Sequence, residues 1–210
     1  MRPFSPQIAL AALLLLPVVA RAADADDIRQ TLKTMAQEVT DGKLLAALDH
    51  YYTLNDDELD MAKASVELDA ATAKFEAAIR AKFGDRGWST VGSTVHALPK
   101  GGYDAVTIKI DGAVATVTWP GEPNPMFLHK VVGGWKVSIP DIMAWGMKQA
   151  GATEAQMRDL EPQVLEISAD RIRRNVSGIG WLALDVAAGK YASAAAAKTA
   201  AAAVMKGKKQ

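Results

Sequence analysis

The chain of 210 residues contains no cysteine. That absence excludes disulfides, thiolate zinc sites, thiol nucleophiles and cysteine-ligated iron–sulfur clusters. Net charge is absent as well. The 24 Lys and Arg balance the 24 Asp and Glu, with no basic block before the last few residues, so the electrostatic footprint of a nucleic-acid binder is missing. Familiar catalytic signatures are also lacking: there is no H-E-x-x-H, no nucleophile elbow and no phosphate loop. Gly178-Ile179-Gly180 has neither the third glycine nor the preceding strand of a dinucleotide fingerprint. The three His lie far apart, and the acidic run at 56–60 lacks the glycine and distal glutamate of a calcium loop. Neither a metal nor a cofactor is expected. What is present is an apolar half, which excludes an entirely disordered chain.

No apolar run reaches membrane-spanning length. Residues 8–19 form a run of about a dozen, against the roughly 20 that a spanning helix needs. Arg2 precedes it and Ala20-Arg21-Ala22 follows it, so residues 1–22 read as an export leader cleaved before Ala23. Losing Arg2 and Arg21 leaves 22 basic against 24 acidic residues, a net of −2. The expectation is a protein exported to a periplasm or the medium, with no stable membrane span. Its remaining length is sufficient to bury a core without disulfides.

Hydrophobic spacing predicts helices, then strands, then helices. Residues 24–38 place Ile28, Leu32 and Met35 on one face, with Asp24, Asp26 and Asp27 at the positive end of the dipole. Asp41-Gly42 breaks this helix, and helical spacing resumes over 43–52. Asn55 with Glu58 reads as a capping box that opens the longest helix, with the stripe Leu68, Thr72, Phe75, Ile79 and Phe83 and a C-cap at Gly84. After a glycine-broken stretch the period becomes two. Val106 to Ile110 and Val114 to Thr118 flank Asp111-Gly112 as a hairpin, and a strand from Met126 to Val132 turns through Gly133-Gly134 into Trp135, Val137 and Ile139. Later helices start at Asp141, at a Thr153/Gln156 capping box and at Ser193, with Pro162 expected to start, interrupt or kink one of them. Segregated elements of this kind predict an α+β fold built on an antiparallel meander. The division expected is a leader (1–22), an α+β domain (23–140) and a helical extension packed on it (141–210).

The last hairpin, Phe127-Leu-His-Lys-Val-Val-Gly-Gly-Trp-Lys-Val-Ser-Ile139, resembles the end of the curved sheet in the cone-shaped NTF2-like superfamily, which includes ketosteroid-isomerase-like proteins. The stretches 77–84 and 187–195 look like an uncharacterised branch of secreted bacterial proteins of that kind. The resemblance implies a cone over residues 24–139. It covers isomerases, dehydratases, cyclases and many non-catalytic binders, so a shared fold does not by itself transfer an activity.

Two classes of function follow. In NTF2-like enzymes, Asp, His and Tyr project into the cone for acid–base work, which makes Asp49, Tyr52 and His129 the catalytic candidates. The structural alternative has Tyr51 or Tyr52 packed inward, Asp49 and His50 solvated, and His129 a satisfied structural histidine. In the second class the cone holds a small apolar ligand, with Trp88, Trp119 and Phe127 as candidate lining, or the C-terminal helices pack on a protein partner or a second copy. Lack of a convergent acid–base set favours a non-catalytic binding or interaction module. The discriminating feature is whether any two of Asp49, Tyr52 and His129 face one cavity.

Overall fold

The computed structural model describes residues 6–95, 102–122 and 124–207, with side chains from Ala22 onward. His96, Leu98, Lys208 and Lys209 lie outside the described residues. The elements are α1 (Pro6–Thr40), α2 (Leu44–Leu48), β1 (Tyr51–Tyr52), α3 (Asp56–Val91), β2 (Thr107–Asp111), β3 (Val114–Thr118), β4 (Met126–Val131), β5 (Gly134–Ser138), α4 (Ile139–Gln149), α5 (Glu154–Ala187) and α6 (Ala194–Met205). The architecture is α+β. No helix among the described residues is long and apolar enough to cross a membrane.

Strands β2 to β5 form the expected antiparallel meander, and β1 joins its end parallel to β5, giving the order β1-β5-β4-β3-β2. The first hairpin pairs Asp111 with Val114, so its turn residues are Gly112 and Ala113, one step beyond the expected pair. The second pairs Val131 with Gly134 across Val132-Gly133, again one residue from expectation. Gly112 and Gly133 take φ of 59° and 99°, a region that penalises a Cβ. Alternation then sends Ala115, Val117, Leu128, Trp135 and Val137 to one buried face. Helix α1 contributes Ile28, Leu32 and Met35 to the same core, each fully buried on the stripe that the spacing predicts.

A charged clasp ties α1 to this sheet. The Trp135 indole N–H donates to Asp24 Oδ1 at 3.2 Å, and the Lys130 ammonium lies 2.6 Å from the same oxygen and 5.5 Å from the Trp135 ring centroid. Hydrogen bonding from Lys130 holds the Asp24 carboxyl below its ordinary range. Because α1 begins at Pro6, Asp24, Asp26 and Asp27 sit within the helix rather than in its first turn. Asp24 therefore serves the clasp instead of a helix terminus.

Helix α3 carries the second layer. Beyond Val66, which faces the sheet core, its Ala62 meets Ile139, Met143 and Leu165 of α4 and α5, and its Phe75 and Ile79 pack with Ile179, Leu182 and Ala201 of α5 and α6. Close approach is built in at Gly178, where a Cβ would fall 2.4 Å from Val204 Cγ1 of α6. Residues 141–210 thus share α3 with the α+β portion rather than forming a separate body.

Several local expectations change. The second helix ends at Leu48, and residues 51–52 are a strand, because the Val137 N–H donates to the His50 carbonyl at 2.8 Å and β5 captures the chain as an edge partner. Gly84 does leave helical geometry at φ 70°, but the chain re-enters helix as far as Val91. Arg80 bridges the break, bonding Glu76 on one side and Asp85 on the other. Ser138, not Asp141, caps α4, its hydroxyl accepting from the Asp141 N–H at 3.2 Å. The Thr153/Gln156 capping box forms as expected, and α5 runs unbroken through Pro162.

Trp135 is 3% exposed and holds both the core and the clasp. Trp135→Ala should cost about 3–5 kcal/mol in urea unfolding, as aromatic truncations in cores do. A loss below about 1 kcal/mol would place the ring outside the core and reverse the register, since a one-residue slip exchanges the two faces.

Candidate functional site

The main cavity lies between α3 and the buried face of the sheet, with a volume of about 780 Å³. Alternation along β1 decides which tyrosine enters it. Tyr51 pairs with Val137 and shares its inward face, whereas Tyr52 pairs with Ser138 and faces the other way. Tyr51, Trp119, Met126, Val137, Ile139 and Ile142 wall the cavity from the sheet and α4. Helix α3 supplies Met61, Ser65, Leu68, Asp69 and Glu76 to the opposite wall, and Trp88 closes one end.

Polar chemistry in this space centres on Asp69. Burial pushes the Tyr103 hydroxyl up to about 12, with the Asp69 carboxylate adding to the effect. Burial and Asp69 raise Tyr51 in the same way. Both hydroxyls therefore stay protonated across the physiological range and remain hydrogen-bond donors. Tyr103 also meets Trp119 edge to face, their centroids 6.4 Å apart. The buried Trp119 indole N–H has no hydrogen-bond partner.

The catalytic candidates are placed elsewhere. Asp49 is exposed at the end of α2. Tyr52 and His129 do meet, stacked with centroids 4.5 Å apart and planes at 12°, but on the sheet face opposite the cavity. There His129 Nδ1 lies 3.4 Å from Asp141 Oδ2, beyond good hydrogen-bond length, while that same oxygen accepts from the Ser138 hydroxyl at 2.5 Å. Phe127 shares this outer face and packs on Trp145 at 6.2 Å, so it does not line the cavity. Trp88 and Trp119 do. His50, the neighbour of Asp49, pairs with Glu38 at 2.9 Å.

Asp69 and Tyr103 were not readable as site residues from spacing aimed at apolar stripes. A usable signal existed: Ser65, Asp69, Thr72 and Glu76 recur at intervals of four, three and four, a polar stripe beside the apolar one on α3. Among the described residues, no group of three or more His, Asp and Glu is arranged to hold a metal ion. Comparison with family models, with curated proteins and with solved structures returns no match.

Glu58 is a second missed residue, fully buried at the start of α3. Its N–H donates to the Asn55 side chain at 2.8 Å, as a capping box requires. Its carboxylate, however, reaches back to the Leu54 N–H, one residue earlier than the usual pattern. Desolvation raises this carboxyl above its ordinary value of 4.5, against the Leu54 hydrogen bond and with Glu161 and Asp141 adding to the rise. A raised folded-state value means that the contribution is fully favourable below pH 4.5 and is lost as pH climbs through the shifted value. Glu58→Gln keeps an acceptor for Leu54, so it should stabilise the protein in urea unfolding at pH 7, with the gain shrinking towards zero at pH 4. A variant less stable than the parent at pH 7 would show that the charged form is favoured there.

Proposed function

We propose that the protein is an exported, non-catalytic binding module of the NTF2-like kind, whose cavity takes a small, largely apolar ligand. The cavity between α3 and the sheet carries this reading. Its volume of about 780 Å³ falls in the range of small-molecule sites, and Trp88, Trp119, Met126 and Leu68 present apolar surface around a few polar groups. Tyr51 and Asp69 would orient a ligand bearing one hydrogen-bonding group. Support for the NTF2-like assignment comes from the order of elements: helices first, then a meander ending in the Gly-Gly-Trp-Lys-Val hairpin, with a cavity on the face that the helices cover. Support for export is the leader pattern alone. The acid–base alternative, an isomerase, dehydratase or cyclase using Asp49, Tyr52 and His129, draws no support from their placement, since none of the three lines the cavity.

The neutral fluorophore N-phenyl-1-naphthylamine tests the binding reading. It should bind saturably, with energy transfer from Trp88 and Trp119. Ser65→Trp, which fills the cavity from α3, should weaken binding at least about tenfold, a loss of about 1.4 kcal/mol. No saturable binding, or equal binding by the filled variant, would remove the proposal.

A further inference from the structure

Helix α5 buries Leu165, Ala169, Ile179, Leu182 and Val186 against its own chain, yet it leaves four large apolar side chains in solvent. Leu160, Ile167, Trp181 and Leu184 are 42, 57, 66 and 60% exposed. The first three are spaced by multiples of seven, and Leu184 lies one turn beyond, so they form one stripe at coiled-coil spacing along the outside of the helix. Asp170 and Arg174 sit in the middle of this stripe, both exposed. Arg174 has no ion-pair partner among the described residues, and Asp170 is only loosely held, 3.6 Å from an Arg173 whose closer partner is Asp60.

We propose that this stripe is a self-association surface, on which α5 of a second copy packs antiparallel about a twofold axis near residue 172. The charges select that arrangement. A parallel pair would set Asp170 against Asp170 and Arg174 against Arg174. The antiparallel pair sets each Asp170 opposite the partner's Arg174, twice by symmetry. In the same register Trp181 falls opposite position 163, in the gap between the partner's Leu160 and Ile167, and Leu184 meets the partner's Leu160. Sliding by one turn, to bring Ile167 onto Trp181, would place Arg174 on Arg174. Registration by charge and by the Trp181 knob therefore agree. Residues 160–184 span about 36 Å at 1.5 Å per residue, and a strip about 10 Å wide covers roughly 360 Å². That is below the roughly 800 Å² per partner of a standard stable interface, so the dimer is weak and concentration-dependent.

Analytical ultracentrifugation of the purified protein from about 1 to 300 μM, the range in which weak interfaces populate, tests this surface. The weight-average mass should climb from monomer towards dimer and stop there. Trp181→Glu should hold it at monomer. Asp170→Arg and Arg174→Asp should each weaken association at least about tenfold by opposing like charges, and the double swap should restore it. All three positions face solvent, so unfolding midpoints should not move, and circular dichroism checks this. Several outcomes would overturn the proposal: monomer throughout, a dimer indifferent to Trp181→Glu, a double swap that fails to restore association, or growth beyond dimer. A chain that stays monomeric yet sediments with anionic lipid vesicles would also overturn it, assigning the stripe to a membrane surface.

Discussion

The structure depends on one helix being shared. α3 faces the sheet core through Val66, α4 and α5 through Ala62, and α5 and α6 through Phe75 and Ile79, so three apolar clusters meet on a single element. Serving three neighbours demands small residues where backbones approach, and Ala62, Ala64 and Ala71 are all buried. Full burial of side chains such as Phe75 and Ile79 is worth about 1.5–3 kcal/mol each, which makes the helical layer a principal source of stability rather than an appendage. With that layer in place, the chain has no requirement for disulfides.

The same helix creates the cavity. Where its apolar stripe gives way to Ser65, Asp69 and Glu76, the wall facing the sheet becomes polar and space remains between the two layers. The tyrosine pair at the start of the sheet divides the chemistry. Because consecutive strand residues point to opposite faces, Tyr51 enters the cavity beside Asp69, and Tyr52 stacks on His129 on the other side. Two polar groupings that lie close in sequence are thereby kept apart by the thickness of the sheet. The outer grouping, with Asp141 and Ser138, joins β4 to the start of α4 and fixes where that helix begins.

Periodicity made the α+β class, the four-stranded meander and the buried stripe of α1 legible, because each is a long regular pattern with a glycine or a cap at its end. Trp135 inside and the caps at Asn55, Thr153 and Ser193 follow from local chemistry and appear as expected. What escaped depends on contacts between distant segments. Residues 51–52 carry helical spacing but become a strand because β5 offers an unpaired edge. Helix continues past Gly84 because Arg80 reaches across the break to Asp85. Trp88 and Trp119 were readable as lining residues, whereas Phe127 was not separable from them without knowing which face of β4 is covered. Asp69 gained its place from the approach of Tyr51 and Tyr103, which no local spacing encodes.

The indole N–H resonances offer the most direct test that the space between α3 and the sheet is a binding site. The chain has five Trp, at positions 88, 119, 135, 145 and 181, which gives one reporter for each distinct region. Titrating a small neutral apolar ligand into the labelled protein should shift the Trp88 and Trp119 signals while Trp145, on the outer sheet face, and Trp181, on α5, stay in place. Shifts confined to Trp145 or Trp181, or no shift at saturating ligand, would contradict the account.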